Sequence, residues 1–279
     1  MIAYRCGNGG GGSDNNTASY TAIVGDDLVK TTATYMFANG NAPQEDIIIG
    51  NNITSCAYMF YNCPSFNHNV SIGRNVVNCQ AMFGSCSHFN IPINIPVNVA
   101  SCYFMFGYCD NYNSDVNIKG NSNCAEMFFN CVNFDANVHM NDNIINCNRM
   151  FYNCHRYNKN IHIPAKAVDI YQMYCNCYEV HANNIIIPKD VSHCIGVFSN
   201  CTNIEGDIYI NNANISSISG MLSGKNSSKR VNVFCNNIRA INASNSYSIV
   251  GSSIVWAATT NGYYNQSYNI YLYNNYIGT

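Results

Sequence analysis

Apolar residues return along this chain at a fixed interval, and that interval predicts its elements. The phrase Cys-x-x-Met-Phe-x-x-Cys stands at Cys56–Cys63, Cys79–Cys86, Cys102–Cys109, Cys124–Cys131 and Cys147–Cys154. With Met as the marker, copies fall at Met36, Met59, Met82, Met105, Met127, Met150, Met173, Val197 and Met221, spaced 22 to 24 residues apart. A period this regular is the signature of stacked units, each of which buries its apolar side only against its neighbours.

Further apolar positions keep fixed offsets from the marker. Ile53, Val76, Val99, Ile144, Val191 and Ile215 precede it, and Phe66, Phe89, Tyr112, Phe134 and Tyr157 follow it. Later in each unit come branched pairs with one residue between them, such as Ile93 and Ile95, Val116 and Ile118, or Ile161 and Ile163. Alternation of that kind predicts one short strand per unit. Within the phrase, Cys, Met, Phe and Cys lie at i, i+3, i+4 and i+7, which predicts a short helix with one buried face. The expected core therefore includes Cys79, Met82, Phe83 and Cys86; Cys102, Met105, Phe106 and Cys109; Cys124, Met127, Phe128 and Cys131; and Cys147, Met150, Phe151 and Cys154. The fold class expected is α/β, about nine strand-turn-short-helix coils.

The chain divides into a Gly-rich leader and N-terminal cap at 1–32, the repeat array at 33–233 and a Tyr-rich end at 234–279. Tyr20–Val24 and Tyr268–Tyr273 are candidate strands, and the end segment reads as a β-rich cap or small module. The Gly-rich start and the Tyr-rich end are candidate contact points for other subunits.

Composition narrows the partners. Only 10% of the residues are charged and the net charge is −2, so a nucleic-acid partner, which needs clustered Lys and Arg, is not expected. Asn supplies much of the polarity with 49 residues. It recurs before the second Cys (Asn62, Asn130, Asn153, Asn176, Asn200), where amide ladders and left-handed turns suit it. No signal peptide and no membrane span are visible.

Twelve of the sixteen Cys are the first or second Cys of the phrase and so mark a structural position, while Cys175 and Cys177 stand as an irregular pair. Two Cys seven residues apart on a helix are too distant to bridge. Packing as free thiols is the reading adopted, with disulfides between neighbouring coils or a zinc site as alternatives. No metal or cofactor is expected.

The pattern N-x-x-x-C-x-x-M-F-x-x-C-x-x-F-N-x-x-V-x-I, over about residues 30–233, resembles the BspA-like leucine-rich repeats of bacterial surface proteins. Such repeats are similar to those in virion proteins of gut bacteriophages. The resemblance implies a right-handed, curved solenoid and non-enzymatic recognition or adhesion. Surface members of the family usually carry an export signal and an anchor, and neither is visible here.

Catalytic motifs are missing: there is no G-x-S-x-G, no H-E-x-x-H and no phosphate loop. Seven His residues (68, 88, 139, 155, 162, 181 and 193) are scattered, with no nucleophile marked beside any. No enzyme is expected. The residue between the two inward positions of each strand points outward: Ile48, Ser71, Asn94, Asn117, His139, His162, Ile186 and Tyr209. Varied residues over a repeated core suit a recognition face, and Asn94, Asn117, His139, His162 and Tyr209 are its candidate ligand contacts. The function expected is adhesion to a protein or glycan on a cell surface, as a virion or extracellular component such as a phage tail or receptor-binding protein. Alternatives are a bacterial surface adhesin and an intracellular interaction scaffold.

Overall fold

The structure, a computed structural model, describes residues 31–120, 123–181, 184–192, 194–212, 218, 220–226 and 231–235, and the strand backbone at 4–7, 21–24, 247–250, 253–257 and 267–272. Most of the Gly-rich leader, Ile215, His193 and the side chains of the Tyr-rich end lie outside the described residues. Two units can be told apart, Met1–Asn141 and Asp142–Thr279.

Thirteen strands are described. The first unit holds β1 (Tyr4–Gly7), β2 (Thr21–Val24), β3 (Asp46–Ile49), β4 (Val70–Ser71), β5 (Ile93–Ile95), β6 (Val116–Ile118) and β7 (Val138–Met140). The second holds β8 (Ile185–Ile187), β9 (Gly206–Ile210), β10 (Val231–Cys235), β11 (Tyr247–Val250), β12 (Ser253–Ala257) and β13 (Ser267–Leu272). From β2 to β4 and from β5 to β7 neighbouring strands pair in parallel, one repeat to the next, and β1 adds antiparallel to β2. In the second unit β8, β9, β10 and β13 are parallel, and β12 and β11 close that sheet antiparallel.

No helix occurs among the described residues, so the helix expected over the phrase is corrected. The cause is local. In each repeat the residue before Met and the residue three after it have a left-handed backbone, as in Tyr58 (φ 56°) and Asn62 (φ 57°), or Phe104 (φ 55°) and Tyr108 (φ 60°). A right-handed helix needs φ near −60° at every residue, so two such residues per phrase cut it into successive turns.

The turns still satisfy the backbone. Met105, Gly107, Cys109 and Tyr112 donate their N–H groups to the carbonyls three residues back, at 3.0–3.1 Å. The N–H groups between them cross to the next repeat: Cys102 to Asn123 (2.9 Å), Phe104 to Ala125 (3.0 Å), Phe106 to Met127 (2.9 Å) and Tyr108 to Phe129 (2.8 Å). About half of the donors are thus spent locally and half on the neighbour, which accounts for groups that burial would otherwise penalise. Because the turns point the same four side chains inward, a turn series and a helix leave the same apolar spacing in the sequence.

The inward side chains form columns. All sixteen core residues named above, from Cys79 to Cys154, are buried. In the first unit Phe37, Phe60, Phe83, Phe106 and Phe128 stack in sequence at 5.4–5.6 Å between ring centroids. Beside them Phe66, Phe89, Tyr112 and Phe134 make a second column at 5.8–5.9 Å, each ring 4.2–4.4 Å from its partner in the first. In the second unit Phe151, Tyr174 and Phe198 continue the pattern at 5.0 and 5.9 Å. Offset stacking of this kind adds about 0.5–1.5 kcal/mol per pair to the burial of the rings.

One expected strand is missing. Residues 161–163 form none, although Ile161 and Ile163 have the spacing for it. Tyr174 stands where other copies have Phe, and its hydroxyl donates to the His162 carbonyl at 3.0 Å. That bond draws the segment to the core side chain and away from a ladder.

Candidate functional site

The outward positions fall into two groups. In the first unit Asn94, Asn117 and His139 are register partners on β5, β6 and β7, so their side chains stand in a row at strand spacing, about 4.8 Å apart. Asn94 and His139 are exposed, and Asn117 is half-buried between them. Ile48 and Ser71 are likewise partners on β3 and β4.

In the second unit His162 is exposed but sits on no strand, and its Nε2 lies 3.4 Å from Asp142 Oδ1. Tyr209 is half-buried on β9, pairs with Ile186 of β8, and donates its hydroxyl to Asp207 Oδ2 at 3.3 Å. Asn94, Asn117 and His139 are therefore brought together, whereas His162 and Tyr209 are each engaged with an aspartate in the other unit.

A feature that outward-facing positions could not reveal lies between β4 and β5. These strands belong to different sheets, and a cleft of about 360 Å³ opens where they part. Asn69, Val70, Ser71, Pro92, Asn94 and Lys119 contribute to its walls. Two other strand pairs carry a clamp that this one lacks. Asp46 Oδ1 accepts the Asn69 N–H at 2.9 Å while Oδ2 takes its side-chain amide at 3.0 Å, clamping β3 to β4. Asp115 Oδ1 likewise holds Asn137, accepting its N–H at 2.9 Å and its side-chain amide at 3.2 Å, clamping β6 to β7. The equivalent residue at the head of β5 is Pro92, which has no N–H to offer Asn69. The signal was in the sequence as Ile91-Pro92-Ile93, a proline at a strand start.

Asn serves the array elsewhere as well. The N–H groups of Asn90, Asn113 and Asp135 donate to the Oδ1 atoms of Asn67, Asn90 and Asn113, each one repeat earlier, at 2.7–2.9 Å. Before the second Cys, Asn62 donates to Asn39 (3.2 Å) and Asn200 to Asn176 (2.7 Å). These amides hold neighbouring repeats together.

Among the described residues fourteen cysteines are buried free thiols. The second Cys of a phrase donates its thiol to a carbonyl of the preceding repeat: Cys86 to Phe60, Cys109 to Phe83 and Cys131 to Phe106, each at 2.9 Å. Cys177 does the same to Phe151 at 3.0 Å, so it is a regular second Cys, not part of an irregular pair. Burial pushes the Cys56, Cys86 and Cys147 thiols up to about 12. A thiol held in its neutral form is a poor nucleophile and a poor metal ligand. Among the described residues no group of three or more His, Cys, Asp or Glu is placed to hold a metal, and no helix is long and apolar enough to cross a membrane.

A family model described as "Mycoplasma protein of unknown function, DUF285" matches residues 31–141 and 96–187, together more than half of the chain. No curated protein and no solved structure matches.

Proposed function

The chain belongs to the DUF285 family, and on that premise we propose that it is a non-enzymatic recognition protein whose repeats present a strand face to a cell-surface protein or glycan. The repeats are, in this reading, leucine-rich coils of the BspA-like kind, wound as a solenoid within each unit. The observation that carries it is the row Asn94, Asn117 and His139, polar side chains set in register over a core that hardly varies. Repeat scaffolds separate duties in this manner, with fixed residues inside and varied ones on the binding face.

A place on a phage particle, in a tail or receptor-binding component, also agrees with the free thiols. A virion protein folds in the reducing cytoplasm before release, whereas a protein exported as it folds meets oxidising conditions with fourteen thiols unprotected by disulfides. The same thiols favour a second reading, an intracellular interaction scaffold.

The test is a glycan and cell-binding screen with the full-length protein and the variants Asn117→Ala and His139→Ala. Both variants weaken attachment at unchanged melting temperature. Attachment that is indifferent to both, or the lack of any in the wild type, overturns the reading.

A further inference from the structure

From the parting of β4 and β5 we infer that the cleft is a binding site for a sugar acid, a pyranose ring bearing a carboxylate. The inference rests on the recognition reading and names a ligand class for one part of that face.

Backbone parity determines what the cleft offers. Ile47 donates its N–H to the Asn69 carbonyl, so in the parallel ladder the N–H and carbonyl of Val70 point away from β3, into the cleft. On the other wall Ile93 donates to Asp115, so the N–H and carbonyl of Asn94 also point into the cleft. In a closed sheet these groups would pair with each other, but no β4–β5 ladder exists. The walls therefore present donors and acceptors in alternation. A simple anion would answer only the donors, whereas a ring hydroxyl both donates and accepts and so suits both.

Charge and size narrow the class. Lys119 is exposed at the cleft, no carboxylate lines it, and the lysine side chain has no hydrogen-bond or ion-pair partner among the described residues. The local field favours an anionic substituent. β4 and β5 come within 8 Å of each other, which leaves no room between their backbones for an inserted peptide strand or a whole ring, so a ring hydroxyl enters between the walls and the ring itself rests over them. An intervening strand would need about 9.5 Å, two strand spacings. A volume of about 360 Å³ is at the lower end for a ligand pocket, and Val70, Pro92 and Pro96 supply apolar surface for the ring carbons.

The test measures binding of glucuronate, glucose and inorganic phosphate to the full-length protein by calorimetry. Glucuronate binds about tenfold more tightly than glucose, as one charge-assisted hydrogen bond allows, and phosphate does not displace it. Lys119→Met abolishes that preference without a change in melting temperature. Pro92→Ala supplies the missing N–H, lets Asn69 clamp β5, raises the melting temperature and weakens both sugars. Failure of the wild type to bind glucuronate, an unchanged preference in Lys119→Met, or displacement by phosphate overturns the inference. Should Pro92→Ala not fold, Lys119→Met decides alone. Cell attachment that survives Lys119→Met but is lost in His139→Ala would sink the cleft site and leave the recognition reading standing.

Discussion

The thiol of Cys109 donates to the carbonyl of Phe83 at 2.9 Å, so a side chain of one repeat closes the turn of the repeat before it. The Phe83 carbonyl also accepts the Cys86 N–H at 3.0 Å, and one buried oxygen is thereby tied to two coils.

That arrangement makes the protein sensitive to alkali. Burial raises the Cys56, Cys86 and Cys147 thiols from 9.0 to about 12. The unfolded chain gives up these protons near pH 9 while the folded chain keeps them, so the stability they confer is complete below pH 9 and is lost as pH rises from 9 towards 12. The melting temperature should fall through that window, and thiol reagents at neutral pH should modify the described cysteines only on unfolding. Rapid native-state modification of them would contradict the burial.

Phe106 stacks between Phe83 and Phe128 at 5.6 and 5.5 Å and against Tyr112 at 4.3 Å. Phe106→Ala should cost about 3–5 kcal/mol in denaturant unfolding. A loss below about 1 kcal/mol would mean that the columns do not stabilise the coils.

At Asn62 a turn and a helix predict opposite signs. Its φ of 57° is left-handed, so Asn62→Ala should destabilise by about 1–2 kcal/mol and Asn62→Gly by less. In a helix, Ala would be the stabilising residue and Gly the worse one. Thermal unfolding of the two variants separates the alternatives, and Ala above Gly would refute the turn series.

Tyr174 tests the missing strand. Removing its hydroxyl in Tyr174→Phe leaves the His162 carbonyl without that donor, 3.0 Å away, at a cost of about 1 kcal/mol. Slower amide exchange at residues 161–163 should accompany it, as the segment, no longer held by this bond, gains a ladder. Faster exchange would show instead that the bond anchors the segment without keeping it from a ladder.

The period, the inward residues and one short strand per unit were legible because each repeats the same demand in many copies. Met105 and Phe106 could be placed in the core from spacing alone, and Ile93 and Ile95 on a strand from alternation. The conformation joining them was not legible from the apolar residues. Cys102, Met105, Phe106 and Cys109 lie at the same offsets whether a helix or two left-handed turns carry them, and the difference rests on Phe104 and Tyr108, which are poor markers of positive φ. Asn at Asn62 and Asn153 was the better clue. For the candidate face, Asn94, Asn117 and His139 followed from alternation, but His162 was misplaced because a single hydroxyl on Tyr174 redirected its segment. The cleft was hidden for another reason: what marks its head is a clamp that Pro92 cannot complete, and an absence leaves no period.

The sharing of donors between a turn and its neighbour sets how such a chain can change length. A single inserted residue inside the phrase would shift every later N–H from its local acceptor to the one meant for the adjacent coil, and the error would run on to the next turn. The one short interval, the 22 residues from Met105 to Met127, keeps Cys124 three residues before Met127 and Cys131 four after it, so the missing residue falls between Ile118 and Asn123. Such a chain is therefore expected to lengthen or shorten in whole repeats, by duplication or loss of a gene segment, with small indels confined to that part of the repeat. Each repeat gained adds one outward strand residue together with the core that carries it, so the two can only be inherited as one piece.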